Sequence, residues 1–485
     1  VAVVPTGELR RFVPFWENER HLPPCQVSCP TGIPVQKRWS LIRQGKTAAA
    51  VDLALRYTPF PATVCGYLCP NLCMQGCSRQ NAQLPPLDVA ALGRASLEAQ
   101  PPAPAPASGK TVALIGGGPA GLSAAWQLWM QGHAPVVYEY RERLGGKIAA
   151  AIPRSRIPDQ VVEHELRRVA DHIEQVALKR PLTKKEFLKL KGKHDAVIIA
   201  VGAQKPRLIP VPGQERAVSA LDFLQASKAG KAQAGRRVVI IGAGNVGCDA
   251  AAEAARLGAE DITLIDIQEP ASFGTERQHA EAAGAKFLWP RATKAVTEQG
   301  VELADGSLLP ADTVIMAVGD TPDLAFLPEE FIRNRGYVVT DDRYQTSDPQ
   351  VFTIGDAVRP GLLTEAIGAG RIAARAIDDL LRGRRDAYDN LPAITPARVH
   401  LEYYDPRIDP AGSLEACSAQ CASCGSCRDC GLCETICPQQ AISRRPLDQE
   451  GYEYVVDGEK CIGCGFCAAA CPCGIWELRE NTPLE

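Results

Sequence analysis

Short apolar runs bounded by glycine recur through the middle of the chain: TVALIG from Thr111, APVVYE from Ala134, HDAVIIAVG from His194, RVVIIG from Arg237, DITLID from Asp261 and ADTVIMAVG from Ala311. Runs without polar alternation predict strands buried on both faces, and the helical stretches between them predict parallel α/β units. The pattern echoes itself, since TVALIGGGPAGLSAAWQL at 111 returns as RVVIIGAGNVGCDAAAEA at 237, and HDAVIIAVGA returns as ADTVIMAVGD. Two related units are therefore expected. The second is inserted into the first, because VFTIGDA and a helix beginning near Thr364 follow both. Upstream, IPVQKRWSLIRQGKTAAAVDLALRY carries apolar positions at three- and four-residue steps and predicts a small helical domain. PPAPAPASGK then reads as a semi-rigid extended linker. Beyond 391 a proline-containing connector of mixed polarity leads into a cysteine-dense tail.

Two of the predicted strands run into the same glycine frame. In VALIGGGPAG, Gly116, Gly118 and Gly121 stand in G-x-G-x-x-G spacing, with Pro119 and Ala120 opening the helix; in VVIIGAGNVG, Gly242, Gly244 and Gly247 do so, with Asn245 and Val246. Such a frame suits a dinucleotide pyrophosphate: one glycine permits the tight turn, the second lets backbone N–H groups approach, and the third packs helix on strand. About 20 residues on, the next strand ends at an acid in each copy, Glu139 and Asp266, placed to accept hydrogen bonds from ribose hydroxyls. A surface carboxylate closing a strand is the plainer alternative. Asp266 is followed by Ile267 and Gln268, neither cationic, which points to a free 2′-OH and so to NAD(H) over NADP(H). Arg277 could reverse that preference from a loop.

Eighteen of the 19 cysteines fall in two terminal clusters at two- and three-residue spacings. Disulfide frameworks rarely look like this; the pattern predicts a reducing compartment and metal-bound thiolates. Cys427, Cys430, Cys433 and Cys437-Pro, then Cys461, Cys464, Cys467 and Cys471-Pro, are two copies of the bacterial ferredoxin run, in which three thiolates hold one cubane and the fourth crosses to the other. The expected sets are Cys427, Cys430, Cys433 with Cys471, and Cys461, Cys464, Cys467 with Cys437. Zinc ribbons do not readily accommodate two such runs. Cys417, Cys421, Cys424 and Cys473 are left as ligands of a further cluster or spare thiols, and Cys248 reads as a small buried hydrophobe.

Composition narrows the remaining classes. A chain of 485 residues has room for three or four domains. Its 53 Lys and Arg against 56 Asp and Glu, a formal charge of -3, offer no global field for nucleic acid or an anionic membrane. No run approaches the roughly 18 apolar residues of a membrane span, so a soluble, cytoplasmic protein is expected. The opening VAVVPTGELRRFVPFW lacks the arrangement of a secretory signal, and its want of a first methionine suggests processing or trimming. The six tryptophans and seven histidines form no metal-like spacing.

The glycine loops, with LGGKI at 144 and TIGDA at 353, resemble the flavoprotein family that includes the small subunit of glutamate synthase and the FAD subunits of NAD(P)H:ferredoxin oxidoreductases. The likeness spans about 1 to 390. It implies FAD at the first loop, with Gly146, Gly355 and Asp356 near its ribityl or pyrophosphate, and a nicotinamide nucleotide at the second. Where the NADPH-using small subunit carries Tyr-Arg-Arg, this chain has Asp266-Ile267-Gln268. CQVSCP, with Cys25 and Cys29, and VCGYLCPNLCMQGC, with Cys65, Cys69, Cys73 and Cys77, resemble the paired-cluster domain ahead of the flavin domain in that family. The resemblance implies at least one N-terminal cluster held by Cys29, Cys69 and Cys73. Cys65 stands in as fourth thiolate, because DVAALGRA offers no side-chain ligand. The Cys-x2-Cys pair that the family carries before Cys25 is replaced by NERHLPP. Cys25 and Cys77 are thus unassigned or joined by ligands from another segment, with structural zinc or free thiols as alternatives.

The expected fold class is α/β: two nested Rossmann-like dinucleotide-binding domains, preceded by a small helical iron–sulfur domain and followed by a ferredoxin-like α+β module. The expected boundaries are 1–100 for the helical domain, 101–109 for the linker, 110–229 and 330–390 for the two parts of the FAD domain, 230–329 for the NAD(P) domain, 391–416 for a second linker and 417–485 for the ferredoxin-like module. Nicotinamides exchange electron pairs and cubanes single electrons, so a flavin between them makes an ordered chain. An enzyme subunit is expected, an NAD(P)H-dependent flavin and iron–sulfur oxidoreductase whose redox chemistry is carried by cofactors, working with ferredoxin or catalytic redox subunits in a hetero-oligomer. The competing readings are a wiring subunit with a vestigial nicotinamide site and an NADPH-dependent glutamate synthase small subunit.

Overall fold

The computed structural model describes residues 11–333, 336–384, 391–448 and 451–481. Expectations touching 1–10 and 385–390 lie outside the described residues. The chain divides into two compact units.

One unit comprises Thr58–Pro70 and Pro102–Arg385. Its first sheet has five parallel strands in the order Val351–Thr353, Ala196–Ile199, Thr111–Ile115, Ala134–Tyr138 and Gln175–Ala177. Successive side chains point to opposite faces, so each strand feeds two cores. Val112 and Leu114 pack with Ile198, Phe352, Ala124 and Ala373 on one side, while Ala113 and Ile115 pack with Val197, Ile199 and Phe187 on the other. Burial on both faces is why these strands read as unbroken apolar runs. Helix Pro119–Met130 lies close against helix Leu363–Leu381, where a Cβ at Gly370 would come within 2.4 Å of the Ala120 carbonyl oxygen.

Between the fourth and fifth strands of that sheet, in chain order, the polypeptide builds a second parallel sheet. Its order is Lys286–Leu288, Asp261–Ile265, Arg237–Ile241, Thr313–Met316 and Val218–Ser219. Here too Val238 and Ile240 enter one core and Val239 and Ile241 the other. The two connections between the nested folds pair with each other, Lys205–Pro206 antiparallel to Asp320–Thr321. The nested Rossmann-like architecture is thus the observed fold. Residues 105 and 108 of the proline-rich stretch are pinned, their N–H groups bonding the carbonyls of Met130 and Gly132 at 2.8 Å each.

The other unit comprises Val1–Tyr57, Asn71–Pro101 and Asp386–Glu485. The helix-like stretch from Ile33 forms Val35–Arg43 and Thr47–Asp52, parted at Gly45 with φ +73°, and ends in the 3₁₀ turn Leu53–Arg56. Both chain ends meet in this unit. Phe12–Trp16 pairs antiparallel with Trp476–Glu480, Trp16 opposite Trp476. Trp16 also packs on Tyr452 and Tyr454 of the hairpin Ile442–Pro446 and Tyr452–Val456, with ring centroids 6.4 and 6.2 Å away. Among the described residues no helix is long and apolar enough to cross a membrane.

Candidate functional site

The two glycine loops are superimposable in their chemistry. Gly116 and Gly242 have φ of +112° and +106°, and a Cβ on either would lie 2.4 Å from a carbonyl oxygen, of Ala200 and Ala317 respectively. Gly121 and Gly247 face the carbonyls of Gly116 and Gly242, at 2.1 and 2.2 Å from a would-be Cβ. Only glycine satisfies both the left-handed backbone and the approach of helix to turn. The acids complete the match: Glu139 Oε2 accepts the Gly117 N–H at 2.7 Å, and Asp266 Oδ2 accepts the Ala243 N–H at 2.9 Å. Each carboxylate thus braces its own loop from the end of the adjacent strand.

The first loop and, through Asn245 and Val246, the start of the helix after the second loop open into one cleft of about 510 Å³, within the usual range for a small-molecule site; Gly242, Gly244, Gly247 and Asp266 are not among its lining residues. It is lined by Gly116, Gly118, Pro119, Ala120 and Glu139 of the first loop region, by Gly146, Gly355 and Asp356, and by Asn245 and Val246 from the second helix. No side chain caps helix Pro119–Met130 or helix Asn245–Arg256, and a Cβ at Gly244 would meet nothing within 4 Å. Open amides and a cradle of backbone at two helix N-termini fit the phosphates of dinucleotides. The residues present therefore fit FAD at the first loop.

Sequence reasoning missed the charges that furnish this cleft. Lys147 Nζ lies 2.9 Å from Asp320 Oδ2 and 3.7 Å from Asp356 Oδ2. Burial raises Asp356 above the usual carboxylate range, the larger influence, while Lys147 pulls it back. Arg156 grips both oxygens of Asp249, at 2.9 and 3.1 Å, and Glu276 at 2.9 Å. Burial pushes Asp249 up to about 6 against that cation. Lys147 and Asp320 sit inside motifs quoted above, LGGKI and AVGD, and were findable; nothing in the sequence links Arg156 to residues on two other helices. Arg277 is engaged elsewhere, bonded to Glu281 at 2.6 Å and stacked 4.1 Å over Phe287. Among the described residues no cation pairs with Asp266.

Segment Thr58–Pro70 sends Leu68 and Pro70 into the cleft. Its anchor is the fully buried Glu165, which accepts N–H groups of Ala62 and Thr63 at 3.0 and 2.8 Å and Arg168 Nη2 at 2.8 Å.

In the other unit the tail thiols gather in two sets. Burial pushes the Cys433 thiol up to about 12, and the neighbouring Cys427, Cys471 and Cys430 add to it. Cys437, Cys461, Cys464 and Cys467 line a second small cavity. Cys471 is held near 6 by the Cys473 thiol and by backbone N–H groups of Ile475, Cys473 and Gly474, an environment that favours thiolate. Cys29 Sγ lies 3.0 Å from Thr31 Oγ1, and Cys73 is buried in Leu72–Gln75, both in this unit. Cys65 and Cys69 belong to the unit of the nested sheets, in and just after the wide helical turn Ala62–Leu68. Cys248 is fully buried in the second sheet's core.

Paired dinucleotide folds between two thiol-rich regions define a flavin-dependent, iron–sulfur electron-transfer oxidoreductase. Residues 110–370 match the family described as pyridine nucleotide-disulphide oxidoreductase, and the chain belongs to that family. Residues 426–475 match a 4Fe-4S dicluster domain, and 19–101 match dihydropyrimidine dehydrogenase domain II, 4Fe-4S cluster. The chain is 31% identical to the NAD-dependent dihydropyrimidine dehydrogenase subunit PreT of Escherichia coli, over 75% of this chain and 92% of that one. It is 28% identical to the glutamate synthase [NADPH] small chain of Azospirillum brasilense, over 76% and 88%. It is also 29% identical to the NADPH-Fe(3+) oxidoreductase subunit beta of Geobacter sulfurreducens, covering 78% of this chain but 60% of that protein.

Proposed function

We propose that this chain exchanges electrons between NAD(H) and a one-electron partner, ferredoxin or a catalytic redox subunit, as part of a hetero-oligomeric complex. FAD sits in the domain formed by 110–229 and 330–390, and the nicotinamide nucleotide in 230–329. The single observation that carries the reading is the common cleft that the first glycine loop, braced by Glu139, shares with Asn245 and Val246 at the start of the helix after the second loop. When bound, FAD supplies the exchange between paired and single electrons. The chain's own residues do the rest. Glu139 and Asp266 hold the loop amides in place, Leu68, Phe326 and Leu363 line the cleft against water, and Lys147 sets a cation between Asp320 and Asp356. In the tail, Cys427, Cys430, Cys433 and Cys471 hold one cubane and Cys437, Cys461, Cys464 and Cys467 the other, with at least one further cluster near the N-terminus.

The relatives' names divide between NAD and NADPH, so the choice rests on Asp266, whose carboxylate repels a 2′-phosphate and accepts from a ribose hydroxyl. Steady-state dye reduction under anaerobic conditions is expected to give kcat/KM at least about tenfold higher for NADH than for NADPH, about 1.4 kcal/mol. Asp266→Asn, which keeps an oxygen for the Ala243 N–H, is expected to narrow the preference. A parent protein that prefers NADPH contradicts the assignment.

A further inference from the structure

We infer that Cys25, Cys77, Cys421 and Cys424 together hold a further [4Fe-4S] cluster, assembled from opposite ends of the chain. It rests on the iron–sulfur reading above but not on the choice of nucleotide or partner.

The four residues line one cavity with Trp39 and Met74, all within one compact unit. Cys25 is the second residue of the short helix Pro24–Val27, and Cys77 immediately precedes Ser78–Asn81. The other two form a Cys-x2-Cys turn just beyond helix Leu414–Gln420, bent by Ser423 at φ +59° and followed by Gly425 at +75°. N-terminal side chains grip that turn from several directions. Arg43 donates to the Ser418 carbonyl and to Ser423 Oγ, each at 2.7 Å, and Arg79 donates to the Gln420 carbonyl at 2.8 Å. Ser78 Oγ lies 3.5 Å from Cys424 Sγ. Two more tethers fix the register of the ends: the Glu19 N–H bonds the Gly425 carbonyl at 2.9 Å, and Trp16 pairs with Trp476. The turn is therefore delivered to Cys25 and Cys77 by a dedicated set of contacts.

The chemistry of the cavity suits a cubane. Val35, Trp39, Leu87 and Val89 make most of its wall apolar, Gln36 and Ser78 add polar groups, and the buried Arg79 guanidinium acts on Cys77 and Cys421, offsetting the negative charge of a thiolate-ligated cluster. Cys73, assigned above to the cluster of Cys29 and Cys69, also touches the cavity. Cys417 is not among the lining residues; its thiol accepts the Asp88 N–H at 3.2 Å and donates to the Pro410 carbonyl at 3.4 Å. Among the described residues no three His, Cys, Asp or Glu side chains are grouped closely enough to hold a single metal ion.

Full-length protein purified anaerobically provides the test, by iron and acid-labile sulfide analysis and by EPR after dithionite reduction. Both Cys25→Ser and the double variant Cys421→Ser/Cys424→Ser are expected to lose about four iron and four sulfide per chain. They should lose the same EPR component, with flavin and the ferredoxin-type signals retained. Cys417→Ser is expected to keep the parental count. The inference is overturned by a double variant with parental iron and spectrum, by loss of zinc instead of iron, or by different signals lost in the two variants. Should the double variant lose flavin as well, Cys421→Asp decides: an altered EPR component supports ligation, an unaltered spectrum overturns it. A parent chain without iron would instead contradict the proposed function itself.

Discussion

Replacing Gly116 by alanine is expected to yield protein that holds iron but no flavin, whereas Gly242→Ala holds both and no longer responds to NADH. Each substitution puts a Cβ 2.4 Å from a carbonyl oxygen on a backbone with φ above +100°. Neither neighbour is a flexible side chain that could move aside, since Ala200 and Ala317 directly follow the strands Ala196–Ile199 and Thr313–Met316. Left-handed backbone alone costs a non-glycine residue about 1–2 kcal/mol, and the overlap adds to it. For Gly242→Ala the rate of flavin bleaching by NADH should fall at least about 100-fold, some 2.7 kcal/mol of lost stabilisation. Flavin content by absorbance, iron by chemical assay and bleaching by stopped flow separate the two loops. Retention of FAD in Gly116→Ala, or undiminished bleaching in Gly242→Ala, contradicts the roles assigned to them.

Glu165→Ala is expected to be the most destabilising single change at the cleft. The substitution strands the Ala62 and Thr63 amides and leaves the buried Arg168 cation without its carboxylate. Breaking a buried pair from one side costs about 3–5 kcal/mol. Burial is the largest influence on this carboxyl and raises its pKa, with Arg168 and the amides opposing. A neutral replacement should therefore be tolerated better, and Glu165→Gln, which keeps a carbonyl acceptor, is expected to cost distinctly less. Urea unfolding followed by flavin fluorescence measures both. Because the same carboxylate anchors the segment carrying Leu68 and Pro70, weakened FAD retention should accompany the loss of stability.

What could be read from the residues alone follows from how local each constraint is. The glycine frames were legible because their demands, a positive φ at Gly116 and a bare Cα at Gly121, are met within six residues of chain. The strands were legible because two buried faces leave no polar alternation. Arg156 with Asp249, separated by 93 residues, was not, since either charge alone reads as a solvated surface group. Nor does anything in residues 58–70 announce their attachment to Glu165, some 102 residues away. The ferredoxin thiols stood out through spacing, which recurs at fixed intervals along the chain. For Cys25 and Cys421 the spacing left the choice between ligand and spare thiol open, and did not join them to one another. Their meeting depends on the pairing of the two chain ends, which a reading along the sequence does not reach.

The central claim is that pairs of electrons enter from a nicotinamide at the flavin and leave singly through iron–sulfur clusters of the same chain. Rapid anaerobic mixing of the full-length protein with NADH, read by flavin absorbance and freeze-quench EPR, tests it most directly. The account predicts bleaching of the flavin followed by paramagnetic signals from reduced clusters, with no other reductant present. Flavin that bleaches while clusters reducible by dithionite stay silent contradicts it.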